Sequence, residues 1–457
     1  MKLVHKSKRM TSVDKAWLRM DTPNNLMVIN VAMVFDKHLD IETVKNMLED
    51  RLLPLDRFSQ RVHFGIVGAT WRPDPEFDLD RHLGQISLPP GAGTAELQEL
   101  IALRAKRPLP LDKPLWHIDI VHNYEHGSVL IFRLHHCIAD GIAVMDLLVN
   151  LTDPEPGSAP LAEKEKEKPG SRLTLGKIVK FGISLIHESA ILLFMPNDSR
   201  TRFKGQPDID KQASWGEPVP LSTVKALGRV YGATINDVML SVAAGALRKY
   251  LQMHGDQVDG RFVRAFVPVN LRPKDQDYML GNEFGLVAVD LPLSLEDPIE
   301  RLVAVNRTMS RIKRSAQAQL SKGILGIGGR MPHFIQNFMF NLFSNRSSVV
   351  ITNVTGPESV RYMAGAKMKQ LIGWVPQSGD EGIGICILSY QGTIQLGLLA
   401  DKKLVPDAGA MMKMFRPAFD ELCSQINPRP VPIPGAEGSF APTDVDVHVA
   451  SKAVGEN

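Results

Sequence analysis

The sequence predicts a mixed α/β (α+β) fold of two domains, and three observations support this prediction. The chain has 457 residues, so two hydrophobic cores are expected rather than one. Apolar runs typical of strands alternate with segments of helical period in both halves. The breaker cluster PEPGSAP at 154–160 and the charge run AEKEKEK at 162–168 indicate an exposed connection. We therefore divide the chain into a first domain at 1–151, a linker at 152–215, a second domain at 216–426 and a mobile tail at 427–457.

Hydrophobic period predicts the elements of the first domain. Continuous apolar runs at 26–35 and 128–136 are typical of buried strands. The spacing of apolar residues predicts helices at 41–53 and 96–106, and a further helix begins after Gly141.

The second domain is also predicted to be mixed. Helices are expected at 221–231, 234–251, 297–314 and 405–426, and strands at 261–272, 284–292 and 347–354. A hairpin is expected at 387–401, because Gln391-Gly392 supplies a tight turn between two apolar runs. From 427 the chain is rich in Pro, Gly, Ala and Val without a period, which is typical of a mobile tail.

Composition limits the class of protein. Hydrophobic residues make up 44% and charged residues 23% of the chain, which is close to the average of globular proteins. A net charge of +3 without a basic tract predicts no nucleic-acid partner. Three widely spaced cysteines predict neither a disulfide framework nor a metal site. With no signal peptide and no membrane-spanning run, we expect a cytoplasmic protein.

The strongest motif lies where the strand at 128–136 ends. The chain there reads HHCIADG, from His135 to Gly141. Consecutive strand residues point to opposite faces, so one histidine is expected to do chemistry and the other to be structural. The alternative is a pair of core histidines, with Asp140 only capping the next helix and Gly141 easing the turn. The whole motif in a strand, turn and helix context favours function.

Other short motifs follow in a fixed order. They are Pro114-Leu115-Trp116, NDV at 236–238, VPVNLRP at 267–273, GNEFG at 281–285 and ITNVTGPE at 351–358. Together with HHCIADG, they make residues 10–425 resemble the bacterial wax ester synthase/acyl-CoA:diacylglycerol acyltransferases. The resemblance implies the two-domain fold of CoA-dependent acyltransferases related to chloramphenicol acetyltransferase, with the active site between the domains.

The resemblance also implies an activity. Family members are O-acyltransferases that make wax esters from long-chain alcohols and triacylglycerol from diacylglycerol, with acyl-CoA as co-substrate and no bound cofactor. It assigns the general base to the second histidine, His136, in a direct transfer. Chemistry agrees, because a neutral imidazole can take the proton of a hydroxyl that attacks a thioester. Cys137 is a competing nucleophile, but it lies too close to His136 along the chain to be activated by it.

Four further residues have expected supporting roles. The resemblance implies that Asp140 points away from substrate and pairs with a basic side chain, and that Gly141 permits close packing. Asn270 and Asn353 are candidates for stabilising the oxyanion or positioning substrate, and the alternative is a strand-end amide that bonds the backbone. Asn236 and Asp237 are expected to cap a helix and Trp116 to pack beneath the motif.

Three departures from the family pattern bear on the acceptor rather than on the reaction class. Segment 24–28 reads NNLMV where the family often has a Pro-Met-His run, Asp21 replaces a usual Glu, and Thr355 replaces a Pro. We expect fatty alcohols to outperform diacylglycerol, because a linear alcohol enters a narrow apolar tunnel more easily.

Long acyl chains favour docking at a lipid surface, so peripheral contact with the inner membrane or lipid inclusions is expected. Segment 174–195 is a candidate interfacial helix, and 331–342 is either a second one or a core helix lining the acyl pocket. Two alternative functions remain: a condensation-type acyltransferase that takes its acyl group from a carrier protein, and a non-catalytic lipid-droplet binding protein.

Overall fold

The structure is a computed structural model that describes residues 7–65, 68–157, 195–272, 280–328 and 345–425. The described residues form two large β-sheets and one small sheet of three strands. One apolar cluster fills the first half and another fills the second. A third, smaller cluster joins residues of both sheets. The predicted mixed two-domain fold is confirmed.

The first half contains four helices and seven strands among the described residues. The helices are α1 (Ser12–Met20), α2 (Ile41–Arg51), α3 (Thr94–Ala105) and α4 (Gly141–Leu151). The strands are β1 (Lys8–Arg9), β2 (Val28–Phe35), β3 (Gln60–Gly65), β4 (Gly68–Pro73), β5 (Leu83–Ser87), β6 (Trp116–Tyr124) and β7 (Gly127–His135).

The second half contains six helices and nine strands in the part of the chain that is described. The helices are α5 (Leu221–Tyr231), α6 (Ile235–Met253), α7 (Pro298–Lys313), α8 (Gln317–Gly328), α9 (Ala408–Lys413) and α10 (Phe415–Ser424). The strands are β8 (Lys211–Trp215), β9 (Val219–Pro220), β10 (Phe262–Asn270), β11 (Phe284–Pro292), β12 (Val349–Thr355), β13 (Tyr362–Met363), β14 (Ala366–Trp374), β15 (Ile383–Tyr390) and β16 (Thr393–Asp401).

The sheet order explains where the site lies. The first sheet runs β13-β14-β2-β7-β6-β5 and the second runs β11-β10-β12-β15-β16-β8, with β9 beside β16. Strand β7 is central and buried along its whole length, because one face meets the first core and the other meets the cluster between the sheets. Its C-terminal end therefore delivers the His motif to the junction of the two halves.

Strand β14 crosses between the halves. It follows the second-half strand β12 along the chain, yet it pairs with β2 in antiparallel register, with Leu371 opposite Met33. Strand β8 also departs from the predicted boundary at 216, since it lies within the predicted linker and pairs with β16. A division of the chain at one linker therefore does not describe the two sheets.

Most predicted elements are present, with one correction. The predicted helix at 405–426 is two helices, α9 and α10, which meet at Met414. The predicted hairpin is β15 and β16, and its turn has positive φ angles at Gln391 (47°) and Gly392 (73°), as a two-residue turn of this hand requires. Of the predicted segments 174–195, 331–342 and 427–457, all residues except Met195 lie outside the described ranges.

Within the described ranges no single helix is both long and apolar enough to cross a membrane, although the bent pair α5 and α6 meets the length and composition test. The same ranges hold no cluster of His, Cys, Asp or Glu suited to a metal ion. The three cysteines are free thiols.

Candidate active site

The end of β7 is held by backbone hydrogen bonds from two sides. The N–H of His136 donates to the carbonyl of Met27 at 2.7 Å, just before β2 begins. The N–H of His135 donates to the carbonyl of Leu115 at 3.0 Å, within the Pro-Leu-Trp motif. The two histidine side chains are thereby directed away from each other, as the strand pattern predicts.

The imidazole of His136 lies in an aromatic enclosure. It stacks on Trp17 of α1, with 4.1 Å between ring centroids and 12° between planes, and Phe284 of β11 is tilted against it at 5.6 Å. His136 is only 7% exposed. Burial lowers the pKa of His136 to about 4, although the charge of Asp140 and a hydrogen bond to Asn282 act in the opposite direction. The ring is therefore neutral at pH 7.

Asn282, from the loop before β11, makes two contacts with His136. Its Oδ1 lies 2.9 Å from His136 Nδ1, and its Nδ2 donates to the carbonyl of His136 at 2.8 Å. Gly281 precedes it with φ 121°, a value that favours glycine. The site is thus built from both halves of the chain.

Asp14 and Arg57 extend this contact. Asn282 Nδ2 also donates to Asp14 Oδ1 at 3.0 Å, and Arg57 pairs with Asp14 Oδ2 at 3.1 Å. Arg57 donates from its other nitrogen to the carbonyl of Ile138 at 2.6 Å, inside the His motif. Burial raises the pKa of Asp14 in spite of its partners. The motif turn, α1 and the loop before β11 are therefore tied to one another.

Asp140 supports the same loop without touching His136. Its Oδ1 accepts from the N–H of Ala143 and caps α4. Its Oδ2 accepts from Arg272 at 3.0 Å and from the N–H of Glu283 at 2.9 Å, while its own N–H donates to the carbonyl of Gly281. Asp140 thus ties the His motif to Arg272 and to the segment that carries Asn282.

His135 faces the other side of the strand. Its Nδ1 accepts from the N–H of Cys137 at 3.1 Å, and its Nε2 lies 3.8 Å from Asp21 Oδ2. Asp21 accepts from the N–H of Met27 with its other oxygen. His135 therefore contacts the turn through residues close to it in space, Cys137 and Asp21.

Cys137 and Gly141 have environments that limit what they can do. The thiol of Cys137 is fully buried, and burial raises its pKa well above the ordinary value, so the thiolate required of a nucleophile is absent at pH 7. A Cβ at Gly141 would lie 3.2 Å from Val354 Cγ2 of β12. Gly141 thus permits a close approach between α4 and the second sheet.

The two predicted polar candidates lie apart from the buried network. Asn270 and Asn353 are exposed residues at the C-terminal ends of β10 and β12. These strands are parallel neighbours, so both residues lie towards the same end of the second sheet, where the two strands finish. Asn270 Oδ1 accepts from the N–H of Arg272, and Asn353 Nδ2 reaches Asn236 Oδ1 at 3.5 Å.

The remaining expectations are met in part. Trp116 is buried, stacks on His82 and donates to the carbonyl of Phe58, so it packs as expected. Asp237 caps α6 together with Thr234, in a reciprocal capping box. Asn236 does not cap the helix; its side chain contacts Asn353 instead.

Several residues of the site were not assigned roles from the sequence. They are Asp14, Trp17, Arg57, Arg272 and Asn282. The first two lie one turn apart on α1, after the capping residue Thr11, and this N-cap pattern is a signal that could have located the helix. Arg272 and Asn282 lie inside motifs used for the family resemblance, but spacing alone does not show their partners.

Comparison with known families agrees with this architecture. The model of the wax ester synthase/diacylglycerol acyltransferase catalytic domain matches residues 10–187, and that of the WS/DGAT C-terminal domain matches residues 280–423. A probable diacylglycerol O-acyltransferase of Mycobacterium tuberculosis is 27% identical over 441 residues, which cover 90% of this chain and 95% of the relative. The O-acyltransferase WSD of Acinetobacter baylyi is 26% identical over 404 residues, which cover 80% of this chain and 84% of the relative.

Solved structures share the fold. The wax ester synthase/diacylglycerol acyltransferase of Marinobacter aquaeolei has a TM-score of 0.68 at 19% identity and covers 91% of this chain and 98% of its own. The first condensation domain of the calcium-dependent antibiotic synthetase has a TM-score of 0.62 at 14% identity and covers 94% and 98%. With both family domains matched in order, the chain belongs to the wax ester synthase/diacylglycerol acyltransferase family and is an O-acyltransferase.

Proposed function

We propose that this acyltransferase moves the acyl group of an acyl-CoA directly to the hydroxyl of a long-chain alcohol or a diacylglycerol, with His136 as the general base. The environment of His136 supports this most: a neutral imidazole, buried where the two halves meet. No described residue forms a hydrogen bond with its Nε2. Nε2 can therefore take the proton of an alcohol whose oxygen attacks the thioester carbonyl carbon.

The proposed step balances without a further reactant. Attack forms the ester C–O bond and a tetrahedral oxyanion while His136 becomes an imidazolium. When the intermediate collapses, the C–S bond breaks and the imidazolium returns the proton to the sulfur of CoA. The net result is one ester and one free thiol, so no acyl-enzyme is required. The protonated, buried thiol of Cys137 is consistent with this direct route.

The oxyanion needs a hydrogen-bond donor, and two candidate donors lie at this end of the second sheet. Asn270 and Asn353 lie near the end of the second sheet at which β11 begins. The loop that carries Asn282 leads directly into β11. Asn270 uses its Oδ1 on the backbone, which leaves its Nδ2 as a donor. Asn353 already directs Nδ2 to Asn236, although the 3.5 Å separation indicates a weak bond. Asn270 is therefore the first donor to test.

A His136→Gln variant tests the proposed base. With palmitoyl-CoA and hexadecanol, release of free CoA should fall by a factor of about 10² to 10⁴, the usual contribution of a general base, while the thermal unfolding transition is retained. A folded His136→Gln protein with wild-type turnover would overturn the assignment. Incubation with labelled acyl-CoA and no acceptor should leave the protein unlabelled, because the transfer is direct.

The acceptor preference rests on segment 24–28, which lies beside the site. Asn24 donates to the carbonyl of Pro207 and Asn25 to that of Gly379, so both amides tie this segment to the second half. The carbonyl of Met27 accepts a hydrogen bond from the N–H of His136. A linear alcohol places only one chain and a hydroxyl here, whereas diacylglycerol brings two chains and a branched backbone. We expect hexadecanol to have the higher kcat/KM.

Measuring kcat/KM for hexadecanol and for a dispersed diacylglycerol, with one acyl-CoA, tests this ranking. The relatives named diacylglycerol O-acyltransferase favour the opposite order. A higher value for diacylglycerol would reverse the preference and leave the role of His136 intact.

Peripheral contact with a membrane or lipid inclusion is part of the proposal, because both substrates carry long apolar chains. A variant lacking 174–195 should co-sediment less with liposomes and keep its activity on short, water-soluble substrates. Unchanged co-sedimentation would exclude this segment as the lipid contact.

A further inference from the structure

The amide of Asn282 can adopt only one orientation. One neighbour of its Nδ2 is the backbone carbonyl of His136 at 2.8 Å, a group that can only accept. The other is the carboxylate of Asp14 at 3.0 Å. Rotating the amide by 180° would place its oxygen against both acceptors, so the NH₂ must face them and Oδ1 must face the His136 ring.

This orientation decides which ring nitrogen of His136 carries the proton. Oδ1 has no hydrogen to donate, so the 2.9 Å contact is a hydrogen bond only if Nδ1 is the donor. A neutral imidazole protonated at Nδ1 has its lone pair on Nε2. The stacked Trp17 restricts rotation of the ring and so keeps Nδ1 towards Asn282.

We infer that Asn282, held by Asp14, is a positioning residue that fixes His136 in the Nδ1–H form and thereby makes Nε2 the base. The inference rests on the proposed role of His136 and adds residues that the His motif does not contain. Asp14 contributes in two ways: it fixes the amide, and it polarises it, so that Oδ1 accepts more strongly from the ring as positive charge develops. Arg57 keeps Asp14 in place at 3.1 Å.

The charged and titratable groups around His136 come from several elements. They are Asp14 on α1, Arg57 after α2, His135 on β7, Asp140 before α4, and Arg272 after β10. Arg57 pairs with Asp14, and Arg272 pairs with Asp140. Among the described residues, the side chain that meets the Nδ1 of His136 is the uncharged amide of Asn282, and the backbone of His136 itself also forms a hydrogen bond with the ring. An added charge at position 282 therefore acts on the imidazole directly.

The first test reads the tautomer itself. In protein labelled with ¹⁵N-histidine, the imidazole signals of His136 are those that disappear in His136→Gln. At pH 7 the wild type should show a protonated Nδ1 and an unprotonated Nε2. Asn282→Leu, which has a similar volume and no hydrogen bond, should show mixed tautomers, with kcat about 10- to 100-fold lower and KM for acyl-CoA unchanged.

The second test adds charge without removing the acceptor. Asn282→Asp should raise the pKa of His136, because a carboxylate beside Nδ1–H stabilises the imidazolium. The pH at which kcat/KM falls on the acid side should therefore be higher than the wild-type value of about 4. The double variant Asp14→Asn/Asn282→Asp exchanges amide and carboxylate and restores the hydrogen bond between them, so it should recover part of the lost turnover and keep this shift to higher pH.

Asn306 provides the matched control. Its Nδ2 also donates to a carboxylate, of Asp237, and to a carbonyl, of Gly232, but it does so in the second half. Asn306→Leu should lower stability and leave the His136 signals and the pH profile unchanged. A wild-type His136 protonated at Nε2, or an unchanged tautomer in Asn282→Leu, would overturn the inference. Loss of turnover in His136→Gln would still support the proposed base in that case.

Discussion

The two sides of the end of β7 differ in where their contacts originate. On one side, His135 meets Cys137 two residues away and Asp21 from the segment before β2. On the other, His136 meets Trp17 of α1 and Asn282, which lies 146 residues further along the chain. Neighbouring identical residues thus receive different chemistry from the alternation of a strand. The side assembled from distant segments is the one that holds the buried imidazole proposed as the base.

Removing the salt bridge between Arg272 and Asp140, on the His136 side, should have the largest effect. Arg272→Met leaves Asp140 as a buried charge without its partner, so we expect a loss of about 3 to 5 kcal/mol in the free energy of unfolding, together with low turnover. Urea unfolding measures the first and CoA release the second.

The double variant Asp140→Asn/Arg272→Met removes both charges and serves as the control. It should be more stable than Arg272→Met alone, because no unpaired charge remains. A stability loss below about 1 kcal/mol for Arg272→Met would contradict the view that this pair anchors the Asn282 loop.

Lowering the pH should have the next largest effect, on the stability of the fold. The pKa of His136 is about 4 in the folded protein and 6.5 in an ordinary environment, so between these values the unfolded chain binds the proton first. Folding stability is then lost as pH falls from about 6.5 to about 4, by about 3 kcal/mol in total. Thermal unfolding should show a smaller loss over this range in His136→Gln than in the wild type. Parallel curves for the two proteins would refute the lowered pKa.

On the His135 side we expect a moderate effect on stability. His135→Leu leaves the buried N–H of Cys137 without an acceptor, at a cost of about 1 to 3 kcal/mol. Turnover of the folded fraction should change by less than about tenfold, since the proposed base is His136. In His135→Asn the amide oxygen occupies the place of Nδ1 and should restore much of the lost stability. If His135→Leu instead kept its melting temperature and lost turnover as His136→Gln does, the two sides would have been assigned in reverse.

The smallest effect is expected at Cys137, which follows the two histidines along the chain. Cys137→Ala removes a buried thiol at a cost of about 1 kcal/mol and should keep turnover close to wild type. Mass spectrometry after incubation with acyl-CoA should show no acyl adduct in either protein. A loss of turnover of about 100-fold in a folded Cys137→Ala protein would revive the thiol as nucleophile.

The sequence predicted the parts of the site that depend on neighbouring residues. A strand that ends in two histidines, followed by Asp140 as a helix cap, can be inferred from alternation and capping chemistry alone. The role of Asn282 could not be inferred, because its partners Asp14 and His136 are distant along the chain and converge only when the two halves pack. Helix α1 was missed because it has only nine residues, too few for a clear hydrophobic period.

The fold follows the same division. Strands β2 and β7 were predicted because they are continuous apolar runs, whereas the first half of β14 alternates apolar residues with two lysines. Its place beside β2 is decided by tertiary pairing, which local propensity does not encode. A division of the chain at the linker therefore does not anticipate a strand that follows β12 along the chain and pairs with β2.

Strand β14 is synthesised long after its partner β2. Until residue 374 leaves the ribosome, β2 is an edge strand, although all eight of its residues are buried in the finished protein. At the usual rate of synthesis, β2 waits about 20 to 70 seconds for its partner. An apolar strand edge left open for that time is a target for pairing with other chains. Nascent-chain complexes stalled before β14 should therefore bind holdase chaperones, and release should coincide with the appearance of this one strand.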